Sequence, residues 1–305
     1  MADLVREIEE NDIPELKSIL SKVFNDDSYK DIKRLGGMTN HSYKITRNDG
    51  KEYLVRIPGE GTEEMINRQD ERKSTELACK LGIDTKLLYF DDKGHKVMDF
   101  IPEPQDINEE TLGKEENIDQ IANIFRTLHS CGVDTQVKFE VFEMADLYEK
   151  IIRNANVKLY DDYDQVKNTI MNIKQKFDSA KKPVKVPCHN DSLVGNWVMD
   201  KNGKLYLVDW EYSGMNEAMW DLSCLSIEMA YSESQDDYFL KAYYGRDVSL
   251  DEKMRFVASK LYVDLLWTLW GLTRVPYDGE FMQEYADNRY NRLKKNLEYY
   301  NNLAR

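Results

Sequence analysis

The sequence predicts an α+β chain built as two lobes, and three observations predict it. Short runs of alternating apolar and polar residues crowd the first hundred positions. Beyond them the chain reads mostly as helix. Its 305 residues also exceed what a single core fills well. The expected division is a strand-rich lobe over residues 1–100 and a mainly helical lobe over 101–305.

Each element follows from local signals. Residues 14–24 read as a helix with Pro14 in its first turn. Strands are expected at 31–35, 42–46 and 52–57, the last two joined by the turn Asn48-Asp49-Gly50. A helix is expected over 62–81, closed by Gly82. Two further strands, 86–90 and 95–100, complete a five-stranded antiparallel sheet. The run Ile101-Pro102-Glu103-Pro104 breaks the pattern. After it, residues 117–130 place Ile118, Ile121, Ile124, Phe125 and Leu128 on one helix face. Three short strands, 184–186, 196–199 and 205–208, interrupt the helices, the latter two joined by Asp200-Lys201-Asn202-Gly203. Everything after Met215 reads as helix.

Composition narrows the function classes. A net charge of −14 argues against a nucleic-acid footprint, which would need a basic face. The four cysteines are scattered without a CxxC pair, as suits reduced thiols in a cytoplasmic protein. The four histidines show no metal-ligand spacing, so no zinc site is expected. The opening MADLVREIEEND is charged and lacks an apolar core, so no signal peptide is expected. The most apolar stretch, 256–272, is interrupted by Lys260 and Asp264 and is too short for a membrane span. Nothing in the sequence sets an oligomeric state.

The chemistry concentrates in His189-Asn190-Asp191-Ser192-Leu193-Val194-Gly195-Asn196 and, after a hairpin, Asp209-Trp210-Glu211. Phosphoryl transfer needs a carboxylate to orient the acceptor hydroxyl and take its proton, and hard oxygen ligands to hold Mg²⁺ against the phosphates. Protein kinases use an Asp, an Asn five residues on, and a second Asp after a hairpin. Asp191, Asn196 and Asp209 have that order and spacing. Taken singly, each could be a residue that caps a turn.

The run CHNDSLVGNWVMDKNGKLYLVDWEYSGMNEAMWDLS resembles the core of the choline/ethanolamine kinase family, within the wider group that includes aminoglycoside phosphotransferases and protein kinases. The family pattern HNDxxxxN…DWEYxxxNxxxxDL is matched from His189 through Leu222. The resemblance implies a protein-kinase-like fold whose first lobe binds nucleotide. It implies Asp191 as catalytic base, Asn196 and Asp209 as Mg²⁺ ligands, and Asp221 as a support for the catalytic loop.

On the nucleotide side, Gly36, Gly37, Thr39 and Asn40 lie between two strands, where kinases cover the ATP phosphates with a loop. Arg56 stands where protein kinases have a lysine, as in choline kinases, and a guanidinium can hold phosphate oxygens through two bonds. Its expected partner is Glu71, with Glu76 in reserve. Met98, Asp99 and Ile101 would carry adenine against their backbone.

On the substrate side, Trp267 and Trp270 share a helix face. A quaternary ammonium has no N–H to donate, but aromatic faces attract it. By resemblance, Trp267, Trp270 and Tyr285 would wall a cage, with Glu211 and Tyr212 adding charge and a further wall. The competing reading is an aromatic stripe in the core. There is no HRD, DFG or APE, which argues against protein substrates. The resemblance thus implies an ATP- and Mg²⁺-dependent kinase of choline, a small-molecule substrate, acting without nucleic acid or membrane. The alternatives are a kinase of ethanolamine, another amino alcohol or an aminoglycoside, and a non-catalytic kinase-like binding module.

Overall fold

The computed structural model describes residues 9–36, 40–59 and 66–304. Elements follow in the order α1 (Ile13–Phe24), β1 (Asp31–Arg34), β2 (Asn40–Thr46), β3 (Glu52–Pro58), α2 (Arg68–Lys80), β4 (Leu87–Phe90), β5 (Lys96–Asp99), α3 (Glu109–Leu112), α4 (Glu115–His129), α5 (Val141–Asn154), α6 (Tyr163–Ala180), β6 (Lys185–Cys188), β7 (Trp197–Met199), β8 (Leu205–Leu207), β9 (Gly214–Glu217), α7 (Ala218–Glu228), α8 (Glu233–Tyr244), α9 (Leu250–Asp278) and α10 (Glu280–Leu303). Strands come first and helices dominate afterwards, so the fold class is the α+β one expected. The chain divides into two compact units, residues up to 107 with 195–213, and residues 108–194 with 214–305.

The first unit is built on a five-stranded antiparallel sheet in the order β1-β2-β3-β5-β4. Helix α1 buries Leu16, Ile19 and Leu20 against Tyr43, Ile45, Val55, Ile57 and Val97 of the sheet. Each such side chain contributes roughly 1.5–3 kcal/mol when fully buried. Helix α2 begins at Arg68, because the side chain of Asn67 accepts from the N–H groups of Gln69 and Asp70. The expected start at 62 lies among residues outside those described. The β7–β8 hairpin groups with this unit through local bonds. The Gln105 N–H donates to Met199 O at 2.8 Å, and the Leu207 N–H donates to Ile83 O at 3.2 Å.

In the second unit, α9 is the central element at 29 residues, opened by a capping box between Ser249 and Glu252. Its charged residues are paired where they are buried: Lys260 with Asp236 at 2.5 Å, and Asp264 with Arg292 at 2.7 Å. Among the described residues no helix is long and apolar enough to cross a membrane.

Two local expectations need correction. Residues after Met215 are not all helical: Gly214–Glu217 pair antiparallel with Lys185–Cys188, a register set by tertiary contact. Asn196 is not in a strand. It ends a one-turn 3-10 helix, Val194–Asn196, and β7 starts after it.

Candidate active site

Strand β3 delivers Arg56, which is 2% exposed, into a cluster of charges within the first unit. Its Nη1 lies 2.5 Å from Glu71 Oε1 and its Nη2 donates to Glu71 Oε2 at 2.9 Å. The expected Arg56–Glu71 pair is therefore present, whereas Glu76 is exposed and pairs with Arg72. Arg56 Nη2 also donates to the carbonyl of Gly94 at 2.9 Å. A second arginine, unforeseen, completes the cluster. Arg68 Nη1 donates to Glu71 Oε2 at 2.8 Å and to Glu211 Oε1 at 2.6 Å. Gly94 makes room for it, since a Cβ there would stand 2.5 Å from Arg68 Cδ. Buried charges persist only when matched. Burial alone would raise the Glu71 carboxyl, but Arg56 and Lys96 overcome it and hold the group down at about 2.

Glu211, expected to lend charge to an amine pocket, is instead engaged by cations and an amide. Its Oε1 accepts from Asn40 Nδ2 at 2.9 Å, Arg56 Nη1 at 3.1 Å and Arg68 Nη1 at 2.6 Å. Tyr212 follows it, half-buried, in a turn closed by the Ser213 N–H to Trp210 O.

Asp209 has a left-handed backbone, φ 67°, which a non-glycine residue adopts only when its surroundings hold it there. Its neighbour does so: the buried Trp210 donates its indole N–H to Asp84 Oδ2 at 3.1 Å. Asp84 is a further unforeseen residue, and burial pushes its carboxyl up to about 6. Asp209 Oδ1 is buried without a hydrogen-bond partner, 3.7 Å from Arg56 Nη1. An orphaned carboxylate oxygen suits a hard divalent cation. Asp209 also lies with Glu71 and Glu211 in a group of carboxylates that could hold one. Asn196 stands at the same end of the hairpin, its carbonyl accepting from the Val208 N–H at 2.9 Å.

The other nucleotide-side residues are distributed as follows. Gly36 is described, while Gly37 and Thr39 lie outside the described residues. Met98 pairs with Leu54 in the sheet. Asp99 donates its N–H to Lys86 O and accepts from Thr85 Oγ1 at 2.7 Å, so both its backbone groups are already engaged. Ile101 is buried just beyond.

In the second unit, β6 leads into the loop that carries Asp191. Asp221, in the first turn of α7, is fully buried and accepts the backbone N–H groups of His189 and Asn190, each at 2.7 Å. These are the supporting bonds anticipated for it. Asn190 has φ 70°, and its carbonyl accepts from Trp220 Nε1 at 3.0 Å while its side-chain oxygen accepts from Asn216 Nδ2 at 3.0 Å. The Asp191 N–H reaches His189 Nδ1 at 3.2 Å.

Helices α9 and α10 bring the three aromatic residues together. Trp267 and Trp270 meet edge to face at 6.1 Å, and Trp270 and Tyr285 at 5.7 Å. Trp267 is 4% exposed, whereas Trp270 and Tyr285 are half-buried. Gly271 permits the approach of the two helices, since a Cβ there would stand 2.8 Å from Tyr285 Cδ1. Sequence reasoning missed Arg289, whose guanidinium lies 4.5 Å from the Tyr285 ring centroid and 2.7 Å from Glu228.

Comparison with known proteins agrees with this geometry. The sequence model of the choline/ethanolamine kinase family matches residues 32–265. A choline/ethanolamine kinase family protein from Mesorhizobium loti is 32% identical, with a TM-score of 0.81 over 93% of this chain and 94% of its own. Choline kinase LicA from Streptococcus pneumoniae is 31% identical, with a TM-score of 0.78 over 93% of this chain and 98% of its own. A probable ethanolamine kinase from Arabidopsis thaliana is 28% identical over 88% of this chain and 80% of its length. A family match across most of the chain, together with a matching fold, means that the chain belongs to the choline/ethanolamine kinase family.

Proposed function

We propose that this protein transfers the γ-phosphoryl group of ATP to the hydroxyl of choline, giving phosphocholine and ADP. The observation that carries the choice of choline is the surroundings of the aromatic trio. Of the carboxylates whose charge reaches Tyr285, Glu228 is already matched by Arg289, and Asp191 is in this reading committed to the substrate hydroxyl. A primary ammonium entering there would leave N–H donors unpaired, at about 1–3 kcal/mol for an unsatisfied group. A trimethylammonium has none to strand, and aromatic faces attract it.

Asp191 orients the choline hydroxyl and accepts its proton as the oxygen bonds to the γ-phosphorus and the bond to the β,γ-bridging oxygen breaks. Glu71 and the Gly94 carbonyl hold the Arg56 guanidinium, and its Nη1 would reach phosphate oxygens by giving up its longer bond to Glu211. Asn196 and Asp209 would hold Mg²⁺, which supplies charge neutralisation on the phosphates when bound. Asp221 and Trp220 keep the loop backbone ahead of Asp191 in one conformation.

The deciding experiment is ADP release from Mg-ATP with choline, ethanolamine and an aminoglycoside. We expect choline to exceed ethanolamine in kcat/KM by at least about tenfold. Equal turnover of the two amines would reduce the reading to an amino-alcohol kinase, and no turnover of any of them would defeat it.

A further inference from the structure

Asp221 is gripped from behind as well as from the loop. Its Oδ2, which accepts the His189 N–H, also lies 3.0 Å from Nε2 of His129. His129 sits in the last turn of α4, buried, with Phe125 stacked parallel to it at 5.5 Å. Its other ring nitrogen, Nδ1, is 2.9 Å from the hydroxyl of Tyr243, near the end of α8. A carboxylate only accepts, so Nε2 carries the proton. In the neutral ring Nδ1 is then an acceptor and takes the Tyr243 O–H. Burial pushes the Tyr243 phenol well above its ordinary value, so it remains a donor. Three helices and a loop are thereby joined in one line, from Tyr243 to His129 to Asp221 to the backbone of His189 and Asn190.

We propose that His129 and Tyr243 are positioning residues for the transfer step, fixing the carboxylate plane of Asp221 and through it the direction of Asp191. This rests on the reading of Asp191 as the group that takes the substrate proton. The argument is geometric. With the loop N–H groups alone, one to each oxygen, the Asp221 carboxylate can tilt about its χ2 angle along with the loop. The His129 bond ties it to a helix outside the loop. The loop it holds is strained, because Asn190 is a non-glycine residue in the left-handed region. Such a conformation reverts when its restraints are removed. Neither His129 nor Tyr243 belongs to the aromatic trio or to the arginine cluster. Their loss should therefore act on turnover and leave the binding of both substrates alone.

The test compares His129→Leu, His129→Gln and Tyr243→Phe, with Asp191→Asn as control, each corrected for its folded fraction. His129→Leu is expected to lower kcat about tenfold with both KM values within about twofold of wild type. His129→Gln, whose amide N–H reaches the place of Nε2, should recover kcat to within about threefold of wild type. Tyr243→Phe should lower kcat about threefold, and the double variant Tyr243→Phe/His129→Leu should be no worse than His129→Leu, since one residue acts through the other. If His129→Leu fails to fold, Tyr243→Phe decides on the same kcat criterion. Wild-type kcat in His129→Leu or Tyr243→Phe beside an inactive Asp191→Asn would overturn the proposal while leaving the kinase reading intact. Losses spread equally over kcat and both KM values, without rescue by Gln, would overturn it in favour of a merely structural role. Full turnover of Asp191→Asn would overturn the reading on which it rests.

Discussion

Tyr285 carries a cation from its own helix: the guanidinium carbon of Arg289, four residues on, lies 4.5 Å from the centre of its ring. Arg289 is 5% exposed, bonded to Glu228 at 2.7 Å and 3.6 Å from Asp264. Side chains four apart on a helix share a face, so this stacking is built into the helix geometry. A cation drawn to this ring would have only the surface that Arg289 leaves open, and would find Glu228 already paired. The ring is also fixed in orientation, with Trp270 edge-on at 5.7 Å.

That fixation makes Gly271 sensitive. An alanine Cβ would stand 2.8 Å from Tyr285 Cδ1 and 3.3 Å from Ala286 Cβ, and the ring has Arg289 and Trp270 against it. In an open helix position Gly→Ala would stabilise by about 0.5–1 kcal/mol. Here we expect no stabilisation, a rise of about fivefold or more in the choline KM, and an unchanged ATP KM. Steady-state kinetics with an unmoved choline KM would return Tyr285 to the core.

Trp270→Leu removes a wall without adding a polar group. The choline KM should rise about tenfold and the preference for choline over ethanolamine should narrow, because cation–π attraction is lost mainly by the substrate that has no N–H. A preserved preference would mean that selectivity arises elsewhere.

Arg56→Met should weaken both binding and stability. Glu71, 1% exposed, would keep Arg68 and Lys96 but lose its shortest partner. Breaking a buried pair from one side costs about 3 kcal/mol or more, readable in urea unfolding. The ATP KM should rise at least about tenfold, and Arg56→Lys should restore stability better than it restores the KM, since an ammonium lacks the planar fork.

Asp84 predicts a pH-dependent stability. Burial lifts its carboxyl from an ordinary 3.8 to about 6, so the folded state prefers the protonated form. Its contribution is complete below about pH 4 and is lost as pH rises through about 6, a swing on the order of 3 kcal/mol. Asp84→Asn should therefore gain stability over wild type progressively between those values, measured by thermal melting without added divalent cation. A difference that stays flat across that range would show the group to be ionised throughout.

Loss of Asp209 should abolish Mg-ATP turnover, because its unpaired Oδ1 is the oxygen left for a metal. Calorimetry on Asp209→Ala should show weakened Mg²⁺ binding in the presence of ATP, whereas normal turnover in Mg²⁺ would exclude the site.

The spacing of Asp191, Asn196 and Asp209 was legible because a short hairpin with a good turn sequence sets it locally. The shared face of Trp267 and Trp270 was legible because helical periodicity sets it. The choice between Glu71 and Glu76 was open, as both lie on α2, and only the sheet beneath decides which one is buried. Arg68, Asp84 and Arg289 gave no local signal. Their partners Glu211, Trp210 and Glu228 stand 143, 126 and 61 residues away in the chain. Strand β9 escaped for a similar reason: Gly-Met-Asn-Glu has little strand character, and its pairing with β6 comes from the tertiary fold.

The late hairpin has a consequence for synthesis. The sheet emerges from the ribosome within the first 107 residues, but the unit it belongs to also needs residues 195–213. Until these appear, Arg68 lacks Glu211 and Asp84 lacks the Trp210 indole. At ordinary elongation rates the wait is on the order of 5–20 s. A nascent chain stalled before the hairpin would hold a sheet with unmatched buried charges, a natural client for a chaperone, and a fragment ending at residue 107 should be degraded in cells where the full chain is not.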